Sequence, residues 1–580
     1  MAALGSTTPI FQQPYEGAFR ATALVLEGEQ RVAFVSVDAI TLPGDIAARA
    51  AQRIAAASPL PATHLLATAT HTHRGLCTID FLGCTPNHEY LRRMEEGIVQ
   101  AVLQAQEKLD RPGAGPNEVE AELLLGLSQE ATVGRNSRIL LRDGEIGWHG
   151  YAEEDMVRPT GPYDPDLQVL ALRRPGGEYA GLIFNHSVHN IGHVNPEALS
   201  PCFYGLSALE IEQRHGATTL FMPGAFGSNH NKTFDSSGVA AEECVVRVVA
   251  AIEDGLQQAQ PALKGPVRVL RRPFTYRLRS FDEATEAEAV RRYGDRYFAE
   301  ASAGQQAVFA EMRQEMAPLQ GHEQQCELMA VRLGEVGIIG IPGEMFGRLG
   351  VDLRRRSPFR HTIIIGLAND EIGYIPDRQA YADGGYQTWV GWHCRTEPGT
   401  GEAMVEFALE MLRELDDETM PPRQAPQCRR LQAGDAVALQ SFYNTLPPAS
   451  RQLFRPGGWN QCLAQSREYC AGQAGGSRYD LVLDTGRELV GWAFLMGCDQ
   501  PRPTLGIGLT EAICGQGWGR QLVEELLAEA RRQGKEAVEL TVVQSNERAR
   551  RLYERCGFVV TGTRRGGDEQ EYLEMTRELA

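Results

Sequence analysis

A short apolar run that ends abruptly in polar residues and glycine recurs through residues 30–380. RVAFVSV (31–37) runs into Asp38, and HLLATAT (64–70) into His71-Thr72-His73. GLIF (181–184) leads to Asn185-His186-Ser187-Val188-His189, and TTLFM (218–222) to PGAFGSNHN (223–231). VGIIGI (336–341) leads to Pro342-Gly343-Glu344, and TIIIGL (362–367) to Ala368-Asn369-Asp370 with Tyr374 close behind. Runs of this length bounded by breakers predict buried strands, with helical segments such as 89–108 between some of them. Residues 285–330 predict one or two exposed amphipathic helices whose charges face solvent. Farther on, 504–513 predicts a strand and 514–534 a glycine-rich turn opening an amphipathic helix. Then 537–543 predicts a strand, and 545–562 a helix, a turn and a strand.

The chain of 580 residues exceeds one ordinary core. The histidines divide it: all 13 lie between His64 and His393. Residues 415–427 (LDDETMPPRQAPQ) are polar and proline-rich, as in a linker, so the expected domains are 1–425 and 426–580. The first can use imidazole chemistry and the second must work without it. The net charge of −18 opposes a broad nucleic-acid surface, though not a small basic pocket. No run reaches the ~18–20 apolar residues of a membrane span, and the N-terminus does not read as a secretory signal. The 12 cysteines form no CxxC pair, which suits reduced thiols. The expectation is a soluble cytoplasmic protein acting on a small-molecule substrate, with no nucleic-acid partner and no integral membrane segment.

In α/β proteins ligands gather beyond the carboxyl ends of strands, so strands ending in His, Glu and Tyr point to one composite site. Zinc accepts imidazole nitrogen and carboxylate oxygen, and a catalytic zinc keeps one position open for water. His71 and His73, one residue apart, project to the same side of an extended chain, where one can bind metal while the other contacts water or substrate. His64, His88, His215, His322 and His361 read as ordinary hydrogen-bonded residues.

The order HTHRGL (71–76), IFNHSVHNIG (183–192), GIPGEMFGR (340–348) and GLANDEIGY (366–374) resembles the neutral/alkaline ceramidase family over roughly the first 420 residues. The resemblance implies an α/β metallohydrolase domain with zinc held by His71, His189, Glu344 and Tyr374. His73 would face the water or substrate as the catalytic base. Three departures stand out. Where the family has Gly-Asp-x-Ser-Pro, Ser228 takes the aspartate position, and His230 or Ser228 lies near the serine position. The family's Asn-Arg pair is replaced by Asn136-Ser137, flanked by Arg135 and Arg138. Neither the export signal nor the C-terminal β-sandwich usual in the family is read in this sequence. These changes disfavour ceramide and favour a soluble N-acyl or O-acyl metabolite.

Residues 428–578 resemble the GNAT superfamily of acyl-CoA acetyltransferases. The resemblance rests on the loop Gly515-Gln516-Gly517-Trp518-Gly519-Arg520 and on Asn546, Ala549, Tyr553, Gly557 and Phe558 in order. It implies an α+β domain with a central mixed sheet, acetyl-CoA cradled by the loop and contacted by Asn546, and Tyr553 protonating the departing thiolate. Cys514 stands where the family often has Arg or Gln. Glu511 and Glu539 are candidates for the general base, with a water relay as the alternative. The acceptor is expected to be a primary amine, attacking directly.

The combined expectation is a bifunctional enzyme: a zinc amidohydrolase fused to an acetyl-CoA-dependent N-acetyltransferase. The alternatives are a first domain that only presents substrate to the acetyltransferase, or one that performs acyl transfer or amide formation.

Overall fold

The computed structural model describes the chain except residues 1, 10–15, 111–120, 149, 232–237, 262–265, 298–300, 417–424, 447, 455, 457–460, 462, 474–475, 487, 511–512, 567–569 and 580. Contacts divide it into two compact units, 1–419 and 420–580, so most of the proline-containing stretch at 415–427 lies outside the described residues.

The first unit holds three main sheets. In the first, β1 (Ala2–Pro9), β2 (Arg20–Glu27), β3 (Arg31–Val37) and β4 (Leu65–Ala69) lie in chain order. The second uses β5 (Glu122–Gln129), β6 (Asp166–Arg173), β7 (Tyr179–His186), β8 (Thr218–Pro223) and β9 (Gln260–Pro261), in the order β8-β7-β6-β5-β9. The third runs β10 (Val267–Arg277), β11 (Glu323–Leu333), β12 (Val336–Gly340) and β13 (His361–Ile365). Period-two alternation gives each sheet two apolar faces. In β2 and β3, Leu24, Leu26, Val32 and Phe34 turn toward a core shared by all three sheets. Ala23, Val25, Ala33 and Val35 turn the other way, against helices α1 (Gly44–Ala57) and α2 (His88–Leu109). The second sheet is covered in the same manner by α3 (Cys202–His215) and α4 (Gly238–Gln257).

Each sheet contains one parallel pair: β3 with β4, β7 with β8, and β12 with β13. These six strands are the ones whose apolar runs end in polar loops, so three pairs of carboxyl ends feed the candidate site. One expectation is corrected here. Helices α5 (Glu283–Tyr297) and α6 (Ser302–Met316) form as read, but the following residues fold as strand β11. Cys326, Leu328, Ala330 and Val331 are buried there, and this burial overrides the charged composition. The helices also bury Val290, Tyr293, Phe309 and Met312 against Trp389, so they are not solvated all round. The third sheet rests on α7 (Gly347–Arg356) and α8 (Thr400–Asp416).

The second unit is one mixed sheet. Its strands are β14 (Gln427–Arg430), β15 (Arg478–Asp484), β16 (Leu489–Met496), β17 (Thr504–Leu509), β18 (Ala537–Val543), β19 (Val559–Arg565) and β20 (Glu571–Glu578), in the order β14-β15-β16-β17-β18-β20-β19. The parallel neighbours β17 and β18 share one paired position, Thr504 with Glu539, near their amino ends. Beyond it the strands part. Helix α9 (Trp518–Arg532) follows the turn that leaves β17 and buries Leu522, Val523, Leu526 and Leu527 on the sheet. Helix α10 (Glu547–Arg555) follows β18.

Candidate functional site

In the first unit, the loops after β4 and β7 are zipped together. Thr72 and Asn190 form a parallel bridge, and the Asn190 side chain donates to the carbonyls of Thr70 and Pro201. This sets His71 and His73 beside His189. His71 pays for its placement with a left-handed backbone, φ 58°, a conformation costly for a residue with a Cβ. Two further segments close the site as two-residue strands, Glu344–Met345 and Tyr374–Ile375, paired in parallel with Glu344 opposite Tyr374. That register puts both side chains on one face.

The imidazole nitrogens of His71, His73 and His189 lie within 4.8 Å of one another. Glu344 Oε2 lies 3.1 Å from His189 Nε2 and 3.8 Å from His71 Nε2, and Tyr374 Oη lies 3.5 Å from His189 Nε2. Backbone carbonyls choose the tautomers. His71 Nδ1 donates to Ile40 O, and His189 Nδ1 donates to Asn229 O, each at 2.8 Å. In the neutral rings both Nε2 atoms therefore present lone pairs toward the carboxylate, and Glu344 Oε2 is buried without a hydrogen-bond donor. Acceptors facing acceptors in a buried site are costly unless a cation sits among them. The donor set of imidazole nitrogen, carboxylate and phenol oxygen fits zinc.

Without a cation the cluster must shed charge instead. Burial lowers His189 to about 4 and raises Glu344 to about 8, so the cluster avoids charge by keeping its rings neutral and its carboxyl protonated. A divalent cation would reverse the second effect and hold Glu344 ionised. His73 is the exposed member, its Nε2 3.1 Å from His71 Nε2. Phe226 packs on both His71 and His189, with ring centres 4.8 and 4.9 Å away.

Several neighbours were not singled out as site residues from the sequence. His230 is buried and stacks on His189 at 3.8 Å, with Trp148 at its edge and Tyr386 stacked on Trp148. Glu371 is buried near Glu344; burial and that neighbouring carboxyl together raise its own carboxyl well above the usual range. His230 and Glu371 carried a signal, because they lie in the strand-end runs 223–231 and 366–374. Ser228 is committed elsewhere: its Oγ accepts from Gly347 N at 3.0 Å and its carbonyl from Ser137. Arg138 is buried, donating to Ala380 O and Gln387 Oε1, and so braces the 380–387 segment.

In the second unit, the turn before α9 has left-handed glycines, with Gly515 at φ 79° and Gly517, the residue preceding the helix, at φ 96°. A Cβ on either would meet nothing within 4 Å, so the turn borders open space. Trp518 packs toward the apolar core, and Arg520 pairs with Glu524 at 2.7 Å. Gln516 and Gly519 lie in the same segment, Gly519 in the first turn of α9. The Asn546 side chain accepts from Ala549 N at 3.2 Å and caps α10. Tyr553 is buried in the core 5.9 Å from Phe558, and burial raises its phenol, which keeps its proton at neutral pH. Glu539 pairs with Arg502 toward the amino end of β18, away from the opening, so it is poorly placed as a base. Glu511 lies outside the described residues.

Residues 440–558 match the model of the acetyltransferase (GNAT) family. The first unit is similar in fold to neutral ceramidase from Pseudomonas aeruginosa, with a TM-score of 0.55 at 17% identity over 72% of this chain and 75% of that one. A ceramidase complexed with C2 matches with a TM-score of 0.53 at 17% identity, over 74% of this chain and 79% of that one. None of the curated proteins compared matches the chain. The chain thus joins a domain of the neutral ceramidase fold to a GNAT acetyltransferase domain. Among the described residues no helix is long and apolar enough to cross a membrane.

Proposed function

We propose that the chain is a bifunctional enzyme. Its first unit hydrolyses an amide or ester in a soluble N-acyl metabolite with zinc, and its second acetylates a small-molecule amine from acetyl-CoA. The observation that carries the hydrolase reading is the convergence of two tautomer-fixed Nε2 lone pairs with a buried Glu344 oxygen that has no donor. His71, His189, Glu344 and Tyr374 would hold the ion. Zinc bound there would lower the pKa of a water towards roughly 7 and polarise a scissile carbonyl. His73, exposed at the rim, would accept the attacking water's proton and return it to the leaving amine.

In the second unit the amides of the 515–519 turn would bind the diphosphate. Tyr553, protonated at neutral pH, would supply a proton to the departing thiolate. Its burial beside Phe558 keeps the phenol in the low-dielectric core. Hydrolysis and acetylation in one chain suit successive steps on one metabolite.

Metal content is the direct test. Protein purified without added metal should carry about one zinc per chain, and His189→Ala should carry none. A parent that stays metal-free after zinc is offered would sink the hydrolase reading.

A further inference from the structure

The turn before α9 offers amides but few free cations. Arg520 is paired with Glu524, while on α10 Arg550 is paired with Glu554 and Arg551 with Glu547. Arg548 differs. It is exposed in the first turn of α10, and its Nη2 donates to Cys514 Sγ at 2.9 Å, on the residue that begins the glycine-rich turn. Among the described residues no carboxylate pairs with it.

The placement is built rather than incidental. Cys514 is itself anchored, its thiol donating to Thr510 O at 3.3 Å. The Asn546 cap fixes where α10 starts, two residues before Arg548, and thereby sets the direction from which the side chain approaches. The parting of β17 and β18 beyond Thr504 and Glu539 opens the space in which the two segments face each other. A planar guanidinium at the rim of an amide cradle matches two anionic oxygens, and a thiol is a weak partner that an anion would displace.

We propose that Arg548 binds the diphosphate of the acyl carrier, supplying from α10 the side-chain cation that the turn itself lacks at Cys514. This inference rests on the acetyltransferase reading of the second unit. Arg548 is a binding residue, and Asn546 acts through it as a positioning residue.

The test is calorimetric titration of the full chain with CoA and with 3′-dephospho-CoA. Arg548→Ala should weaken both ligands by roughly 10- to 100-fold, the worth of one charge-assisted contact. Arg550→Ala, on the same helix but paired with Glu554, should bind like the parent. Adding Cys514→Arg to Arg548→Ala should restore most of the lost affinity, because it returns a guanidinium to the same rim. CoA should also slow alkylation of Cys514 by iodoacetamide in the parent. Unchanged CoA binding in Arg548→Ala would overturn the inference and leave the acetyltransferase reading intact. A loss seen with CoA but not with 3′-dephospho-CoA would overturn the diphosphate assignment. A parent that binds no CoA would remove both readings.

Discussion

In the first unit the converging atoms are side-chain nitrogens and oxygens from positions 71, 73, 189, 344 and 374; in the second the proposed site is the backbone amides of a single turn, 515–519. The glycines of the two sites show the same contrast. Gly227 lets two backbones touch: a Cβ there would stand 2.2 Å from Glu344 O. Gly515 and Gly517 face open space and serve only to make a left-handed turn. A site made of side chains must be packed from all directions to hold their geometry. A site made of amides must instead leave room. The first is therefore sensitive to its surroundings and the second mainly to its own backbone.

The comparison breaks most sharply under a strong zinc chelator. It should abolish hydrolysis, at least about a hundredfold, because even outer-shell damage to a metal site costs ~10–100-fold. Acetyl transfer should be unchanged in the same sample. Loss of both activities together would mean that the two sites are not of different kinds.

Gly227→Ala comes next. Its Cβ meets backbone rather than a movable side chain, so the first unit should lose about 2–3 kcal/mol and bind metal weakly. Thermal unfolding with the metal content measured alongside checks both effects.

A comparable effect should follow pH at Asp38, at the end of β3. Burial raises its carboxyl from 3.8 to about 6, although it accepts from Arg20 N and Thr70 Oγ1. Between these pH values the native state holds a proton that the unfolded chain releases, so stability falls as pH rises. Asp38→Asn should remove that slope, worth roughly 3 kcal/mol above pH 6. Urea unfolding at pH 4 and pH 7 for parent and variant gives the difference.

The smallest effect belongs to Gly517→Ala, which meets strain but no clash. About 1 kcal/mol of stability should be lost, with a several-fold rise in the acetyl-CoA KM. If Gly517→Ala cost as much as Gly227→Ala, the distinction between open and packed glycines would fail.

Much of the frame was legible in local pattern. The six runs that end in polar loops are strands, and the turn at 514–519 opens a helix, because period and breakers are properties of neighbouring residues. The resemblance named four positions that the structure brings together. It gave no sign of Phe226 or Tyr386 beside them, since nothing local distinguishes those rings from core aromatics. Residues 323–330 misled for the same reason: only pairing with β10 and β12 makes them part of a strand.

The sequence by itself determined which segments are strands, where they stop, and which chemistry each stop carries. It also set the left-handed turn at Gly515 and Gly517, because that conformation is local. Tertiary structure alone decided that Ile40 and Asn229 carbonyls select the tautomers of His71 and His189, that Glu344 stands opposite Tyr374, and that β17 and β18 part after one pair. The reason is that these are pairings between chain segments separated by about 30 to 40 residues, formed only when strands meet in register. No periodicity within a segment specifies its partner's register.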